Sequence, residues 1–110
     1  MIHGNTKAII QLKTTTKNAI GERVASWTDV DTLFGWLDLQ SGDSNYTNYN
    51  AKIQESSHVF LVDYAKLDSR VKAENCRMVI GNAAYDIMLI DNPMGMNRQL
   101  EFYLKFTGGK

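Results

Sequence analysis

The sequence predicts one domain of antiparallel β-strands, closed into a small barrel of about six strands. Leu100, Phe102, Leu104 and Phe106 alternate with more polar residues, as in a strand with one buried face. Upstream, Gly81-Asn82 separates two apolar runs, and these residue types tolerate the backbone angles of a tight hairpin. Helical periodicity is scarce, and closing the sheet would hide its edges.

The candidate strands number six or seven along the 110-residue chain, which we treat as one domain, 1–110. Gly21-Glu22 separates the first two candidates, and Pro93 interrupts the pattern before the last because proline has no N–H for a ladder. The candidates are residues 8–12, 24–30, 33–39, 58–64, 76–80, 84–90 and 100–106.

Residues 41–56 form a long polar insert between two of these strands. Loops longer than about 12 to 15 residues are uncommon in compact domains and are often functional. Tyr46, Tyr49 and Ile53 are spaced to share one face of a helix, so a short helix and an irregular loop both fit. We expect the insert to be the most mobile internal segment.

The composition offers no strong field for a partner, because twelve basic residues balance twelve acidic ones. The single cysteine, Cys76, has no internal disulfide partner, which favours folding in a reducing cytoplasm. No stretch approaches the ~20 apolar residues of a membrane span, and the first residues lack a signal-peptide pattern. We therefore expect a soluble protein without membrane contact.

Motifs for catalysis and cofactor binding are absent from the sequence: it has no phosphate-binding glycine loop, no His-x-x-x-His pair and no nucleophile elbow. Cys76 with His58 is the one conceivable nucleophile and base. Cys76 shares parity with Met78 and Ile80, so we interpret it as a core residue. His3 and His58 are too far apart to predict a metal site. We expect no catalytic residue, metal or cofactor.

Acidic and aromatic residues suggest a weaker alternative, a nucleic-acid-binding barrel with aromatic stacking platforms beside lysines. Acidic residues in the same stretch offset those lysines, and aromatic residues of small β domains usually lie in the core. Asp29, Asp31 and Asp38 are expected on the solvated face. The aromatic candidates are Trp27, Trp36, Tyr46, Tyr49, Tyr85 and Phe102, and the basic ones are Lys7, Lys13 and Lys17.

The order and spacing of several short segments carry a family resemblance over most of the chain. They are Gly21 followed by Trp27-Thr28-Asp29, Phe34-Gly35-Trp36-Leu37, the polar insert, Phe60-Leu61-Val62-Asp63-Tyr64, Leu67-Asp68-Ser69-Arg70-Val71, Met78-Val79-Ile80-Gly81-Asn82, Tyr85-Asp86-Ile87, Asp91-Asn92 and Leu100-Glu101-Phe102-Tyr103-Leu104. In this order the chain resembles the head closure proteins of tailed phages, also called head-tail joining or head-tail adaptor proteins. Asp63 departs from the basic residue that the family often carries there.

The resemblance implies a structural virion protein without catalytic residues. It implies a ring of identical subunits, expected to be dodecameric, below the portal and adaptor rings, with the tail docking on the far side. In relatives the long insert faces the channel axis and can close it on packaged double-stranded DNA, without sequence-specific binding. On this sequence the channel-closing loop is Ser41, Gly42, Asp43, Ser44, Asn45, Tyr46, Thr47, Asn48, Tyr49, Asn50, Ala51 and Lys52.

Three other functions stay open at this point. A tail-terminator or tail-completion protein would also be a small ring-forming subunit of the virion. A small β-barrel that binds nucleic acid would show salt-dependent association with DNA. A small enzyme built around Cys76 would show a fast-reacting thiol.

Overall fold

Six antiparallel strands form a closed barrel in the computed structural model, which describes residues 4–39 and 56–109. The strands are β1 (Thr6–Lys17), β2 (Arg23–Leu39), β3 (His58–Asp63), β4 (Cys76–Ile80), β5 (Ala83–Asp91) and β6 (Gln99–Gly109). They close in the order β1-β2-β3-β6-β5-β4. The helices within these described ranges are two short 3-10 turns, Ala73–Asn75 and Pro93–Gly95. The predicted antiparallel barrel of about six strands is confirmed.

Strand β2 corrects the sequence prediction, which placed two strands at residues 24–30 and 33–39. They form one strand of 17 residues. A bulge opposite Ile10 and Gln11 leaves Val30 without a partner in β1, and pairing resumes on both sides of it. A bulge bends a strand without ending it, so the strand continues where a break was expected.

The core lies inside the barrel, and each strand contributes the side chains of its inner face. Ile10, Phe60, Met78, Phe102 and Leu104 are its largest fully buried side chains. The alternation predicted for the last strand is correct for Leu100, Phe102 and Leu104, but Phe106 is 50% exposed.

The end of β3 explains this exception, because β6 pairs with β3 only as far as His58 and Leu104. Ala84 pairs with Gly108 and Tyr85 with Phe106, which leaves Thr107 as an extra residue in β6. Phe106 lies beyond the end of β3 and contacts the ring of its partner Tyr85, with centroids 5.6 Å apart, at the margin of the core.

Strands β1 and β2 continue beyond the barrel as a two-stranded extension, residues 13–27, which we call the arm. Strand β4 pairs with β1 only between Ile9 and Leu12, whereas β1 and β2 pair as far as Lys17 and Arg23. The arm ends in a turn in which the Asn18 side-chain oxygen accepts the N–H groups of Ile20 and Glu22. The antiparallel order places the arm at one end of the barrel and the exit of the insert, after Leu39, at the other.

Residues 64–75 connect β3 to β4 across the arm end of the barrel. Ala65, Leu67 and Val71 pack against the core there. The backbone N–H of Asp68 donates to Asp31 Oδ2 at 2.8 Å, which attaches this connection to β2. Hydrogen bonds from both the Arg70 side chain and its backbone N–H hold the Asp68 carboxylate. The connection therefore covers this end of the barrel.

Acid should loosen this connection through Asp68. Hydrogen bonds from Arg70 lower the pKa of Asp68 from 3.8 to about 2. A lowered pKa in the folded state contributes stability above pH 3.8, and that contribution is lost as the pH falls toward 2. We expect the stability of Asp68→Asn to vary less with pH than that of the wild type between pH 5 and 2, by denaturant unfolding. Glu74→Gln in the same connection is the control, and identical pH profiles for wild type and Asp68→Asn would contradict the assignment.

Gly35 should tolerate no larger side chain, because β2 and β3 approach closely at this position. A methyl group there would collide with the Leu61 carbonyl oxygen and lie 2.9 Å from Cζ of Phe60. Overpacking of this kind costs about 1 to 3 kcal/mol or more. We expect Gly35→Ala to lower the free energy of unfolding by about 3 kcal/mol or to prevent folding. Gly109→Ala is the matched control, since its nearest neighbour is the Asn82 carbonyl oxygen at 3.8 Å, and equal effects of the two substitutions would refute the close approach.

Candidate interaction surfaces

The channel-closing loop predicted from the sequence, Ser41 to Lys52, lies outside the described residues, as does the helix considered there. Its flanks are described. Leu39 pairs with His58 across neighbouring strands β2 and β3, and Ser56, the last residue of the predicted insert, is buried. The insert therefore leaves and re-enters the barrel on adjacent strands, at the end opposite the arm.

Ser57 anchors the returning end of the insert to β6. Its backbone N–H donates to the Leu104 carbonyl oxygen at 2.7 Å. Its hydroxyl accepts the Phe106 N–H at 2.9 Å and lies 2.8 Å from His58 Nδ1. The His58 ring meets the Tyr85 ring edge-on, with centroids 5.1 Å apart. The chain is thus fixed on β6 before β3 begins.

The Cys76 and His58 pair considered from the sequence is not brought together. His58 begins β3 at the insert end, whereas Cys76 begins β4 at the arm end. The predicted core position of Cys76 is confirmed, since it is 6% exposed. Its thiol donates to Asn75 Oδ1 at 3.1 Å, and burial raises the pKa of the Cys76 thiol. A thiol in this setting is a poor nucleophile.

The three aspartates lie in different surroundings along β2. Asp29 is exposed and accepts a hydrogen bond from Gln11 Nε2 at 2.8 Å. Asp31 is half-buried and binds the connection through Asp68, which corrects the expectation that it is solvated. Asp38 is exposed near the insert end of the strand. Within residues 4–39 and 56–109, no group of three His, Cys, Asp or Glu side chains could hold a metal ion, and His3 lies outside those ranges.

The outer side of the arm and of the adjoining strand β4 carries a cluster that we call the basic face: Lys13, Lys17, Arg23, Trp27 and Arg77. Lys13 pairs with Trp27 and Lys17 with Arg23, so each pair shares one side of the sheet. The Arg77 guanidinium lies 4.2 Å from the centroid of the Trp27 ring, a cation–π geometry. Its Nε also donates to Gln11 Oε1 at 2.8 Å.

This arrangement corrects the expectation that Trp27 lies in the core, since the ring is 37% exposed. It also weakens the argument that acidic residues of the same stretch offset the lysines. Asp31 is half-buried and Asp38 lies near the other end of β2, whereas Asp29 and Asp86 are exposed on the same side as Trp27 and Arg77 and offset part of the charge there. The arm itself has three basic residues, Lys13, Lys17 and Arg23, and one acidic residue, Glu22.

A second exposed surface lies on the outer side of β2, β3 and β6, and we call it the acidic face: Phe34, Trp36, Asp38, Leu61 and Glu101. Trp36 pairs with Leu61, which pairs with Glu101. Phe34 is 57% exposed and Trp36 is 44% exposed. Gln99 Nε2 and the Tyr103 hydroxyl each donate to the Glu101 carboxylate at 2.8 Å, which fixes a negative charge two strands away from Trp36.

The expected core position of Trp36 is therefore wrong, while Tyr85 and Phe102 are buried as predicted. Tyr46 and Tyr49 lie outside the described residues. Trp36 shares parity with Asp38, and in a strand equal parity means the same side of the sheet. That shared parity was the available signal that Trp36 faces solvent.

Taken together, the described ranges form a small barrel with an arm, two exposed faces, and paired strands β2 and β3 on either side of the insert. Large exposed rings on such a barrel are typical of a subunit that works by contact with other proteins. No described helix is both long and apolar enough to span a membrane.

Comparison with known families agrees with this class. A family model described as "Phage head completion protein" matches residues 2–105. The chain belongs to this family, a family of structural proteins of the phage virion that join the head to the tail. The resemblance drawn from the sequence is thus confirmed. No curated protein matches the chain.

Cys76 should react slowly in the folded protein if it is a core residue. Its burial and its raised pKa should make labelling by a maleimide at neutral pH at least ~100-fold slower than that of an exposed thiol, since both lower the accessible thiolate. The matched exposed thiol is Thr15→Cys on the arm in a Cys76→Ala background. Equal labelling rates for the two proteins would support the enzyme built around Cys76 instead.

Proposed function

We propose that this chain is a head closure subunit, which forms a ring of identical copies in the connector below the portal and adaptor. In this role the insert closes the DNA channel after packaging, and the far side of the ring receives the tail. The protein acts at the head–tail interface of the virion and is made in the cytoplasm of the bacterial host. The observation that carries the proposal is the position of the insert, which leaves and returns on paired strands at a single end of the barrel.

The anchoring of the insert supports a closing role. Leu39 and His58 are cross-strand partners, and Ser57 binds β6 through backbone and side chain. An element that blocks a channel must be held by a rigid part of the protein. The hydrogen-bonded strands of the barrel are such a part. The insert itself is polar and rich in Ser and Asn, so neighbouring copies can pair through backbone and amide hydrogen bonds.

Ring formation multiplies the effect of each insert. In a cyclic assembly every copy places its insert at the same height, so contacts that are weak singly add up around the axis. The dodecameric state belongs to this proposal, as does the passage of double-stranded DNA without sequence-specific binding. The portal or adaptor ring and tail components are the proposed partners.

One observation favours a second function, nucleic-acid binding. The basic face places Trp27 beside Lys13 and Arg77, and basic side chains near an exposed ring are typical of proteins that bind nucleic acid. No comparable observation separates a tail-completion protein from a head closure protein, but the description of the matched family favours the head.

Shortening the insert should separate its function from folding. Deletion of residues 43–50 leaves enough chain to join the paired ends of β2 and β3, so we expect the free energy of unfolding to change by only about 1 kcal/mol. Filled heads carrying this protein should leak DNA or fail to acquire infectious tails. The measurements are unfolding of the purified protein, and DNA retention and infectivity of particles complemented with it.

A same-length replacement of residues 43–50 by Gly and Ser is the matched control, since it keeps the reach of the insert and removes its side chains. If the inserts pair mainly through backbone groups, this control should retain more DNA than the deletion. Normal DNA retention and infectivity with the shortened insert would refute the closing role. An unfolded deletion protein would show that the insert is part of the core.

A further inference from the structure

The basic face and the acidic face carry opposite charges and both expose aromatic rings. The arm contributes Lys13, Lys17 and Arg23 against the single acid Glu22. The acidic face contributes Asp38 and Glu101 beside Phe34 and Trp36, with Lys7 bordering it opposite Phe34. The net charge of the chain is zero, and the positive excess lies on the arm, since Asp29 and Asp86 share the side of Arg77 at its base.

We infer that the basic face of one copy packs on the acidic face of a second copy, in a head-to-tail contact between neighbours. This inference rests on the proposed ring and names the surfaces that would form it. Charge complementarity indicates that the partner is a second copy of this chain. Each face would meet a face of opposite charge on the other copy, and both faces expose aromatic rings. The aromatic rings would supply the desolvated centre of the contact, and the charges would surround it.

The closed strand order places the two faces on different sides of the molecule. The basic face adjoins the barrel at Arg77 on β4, and the acidic face is centred on Leu61 of β3. In the order β1-β2-β3-β6-β5-β4 these two strands are three positions apart in either direction. In a barrel of six strands, β3 and β4 therefore lie on opposite sides.

Opposite placement determines the kind of assembly. Two different surfaces that bind each other on opposite sides of one subunit form a heterologous contact, which closes into a ring when the rotation between copies allows it. A two-fold dimer would instead need one surface that matches itself. The arm suits this contact because it extends beyond the barrel and can reach across a neighbour.

The arm is also built to hold its shape without the barrel beneath it. The hydroxyl groups of Thr14 and Ser26, on its other side, lie 2.8 Å apart. The Arg77 guanidinium packs on Trp27 at the base, and the Asn18 side chain fixes the turn at the tip. Such ordering before contact lowers the entropy lost on association.

A charge-reversal experiment on the full-length protein tests this contact. Variant A carries Lys17→Glu and Arg23→Glu, and variant F carries Asp38→Lys and Glu101→Lys. Self-association is measured by sedimentation over concentrations up to about 1 mM at low salt, where charge pairs are least screened. Unfolding curves establish that each variant folds. The control reverses the charge of two exposed residues of the connection, Lys66→Glu and Lys72→Glu.

The contact predicts a distinct pattern among these proteins. Wild type and control should self-associate alike, and A and F alone should each associate at least about tenfold more weakly, because like charges then face each other. An equal mixture of A and F should recover association to within about threefold of wild type, because every contact in an alternating assembly again joins opposite charges.

Three results would overturn the inference: no self-association of the wild type at 1 mM, association of A and F equal to that of the wild type, or no recovery in the mixture. If A associates normally but loses a salt-dependent binding to duplex DNA that the wild type shows, the basic face serves nucleic acid instead. Complementation of particles distinguishes this failure from failure of the proposed function. A ring built through other surfaces would leave A and F fully active in tail attachment.

Discussion

The pairing of β2 with both β1 and β3 is the constraint on which the rest of this structure depends. The first half of β2 forms the arm with β1, and its middle contributes Leu33 to the core. The last residues of β2 pair with β3, the strand that follows the insert. The bulge at Val30 allows one strand to serve all three parts, since it bends the strand while the ladder with β1 continues. Without it, a straight ribbon of this length would not close around the small core.

Much of the fold was predictable because the core imposes a period of two on the strands. Leu100, Phe102 and Leu104 followed that period, and Gly81-Asn82 marked the hairpin correctly. The bulges were not predictable, since an extra residue in a ladder changes which side chains face inward without a strong signature in composition. The continuous course of β2 is such a case, whereas Phe106 is exposed because it lies beyond the end of β3.

The exposed faces are harder to predict from the sequence than the core. Total charge and average burial describe the whole molecule, whereas a contact surface depends on which residues share one side of a strand. Trp27 and Trp36 were assigned to the core from the usual behaviour of tryptophan, although their strand neighbours Lys13 and Asp38 are polar. The segment assigned to the channel, residues 41–52, was singled out by length and polarity, and only its flanks enter the described structure.

The adjacent placement of Leu39 and His58 also affects how the insert of such proteins can evolve. The gap that the insert must bridge is a single spacing between strands, about 5 Å, and the entropy of closing a loop grows slowly with its length. Natural selection can therefore lengthen, shorten or rewrite this stretch with little penalty to the barrel that holds it. One scaffold can in this way carry inserts of very different length.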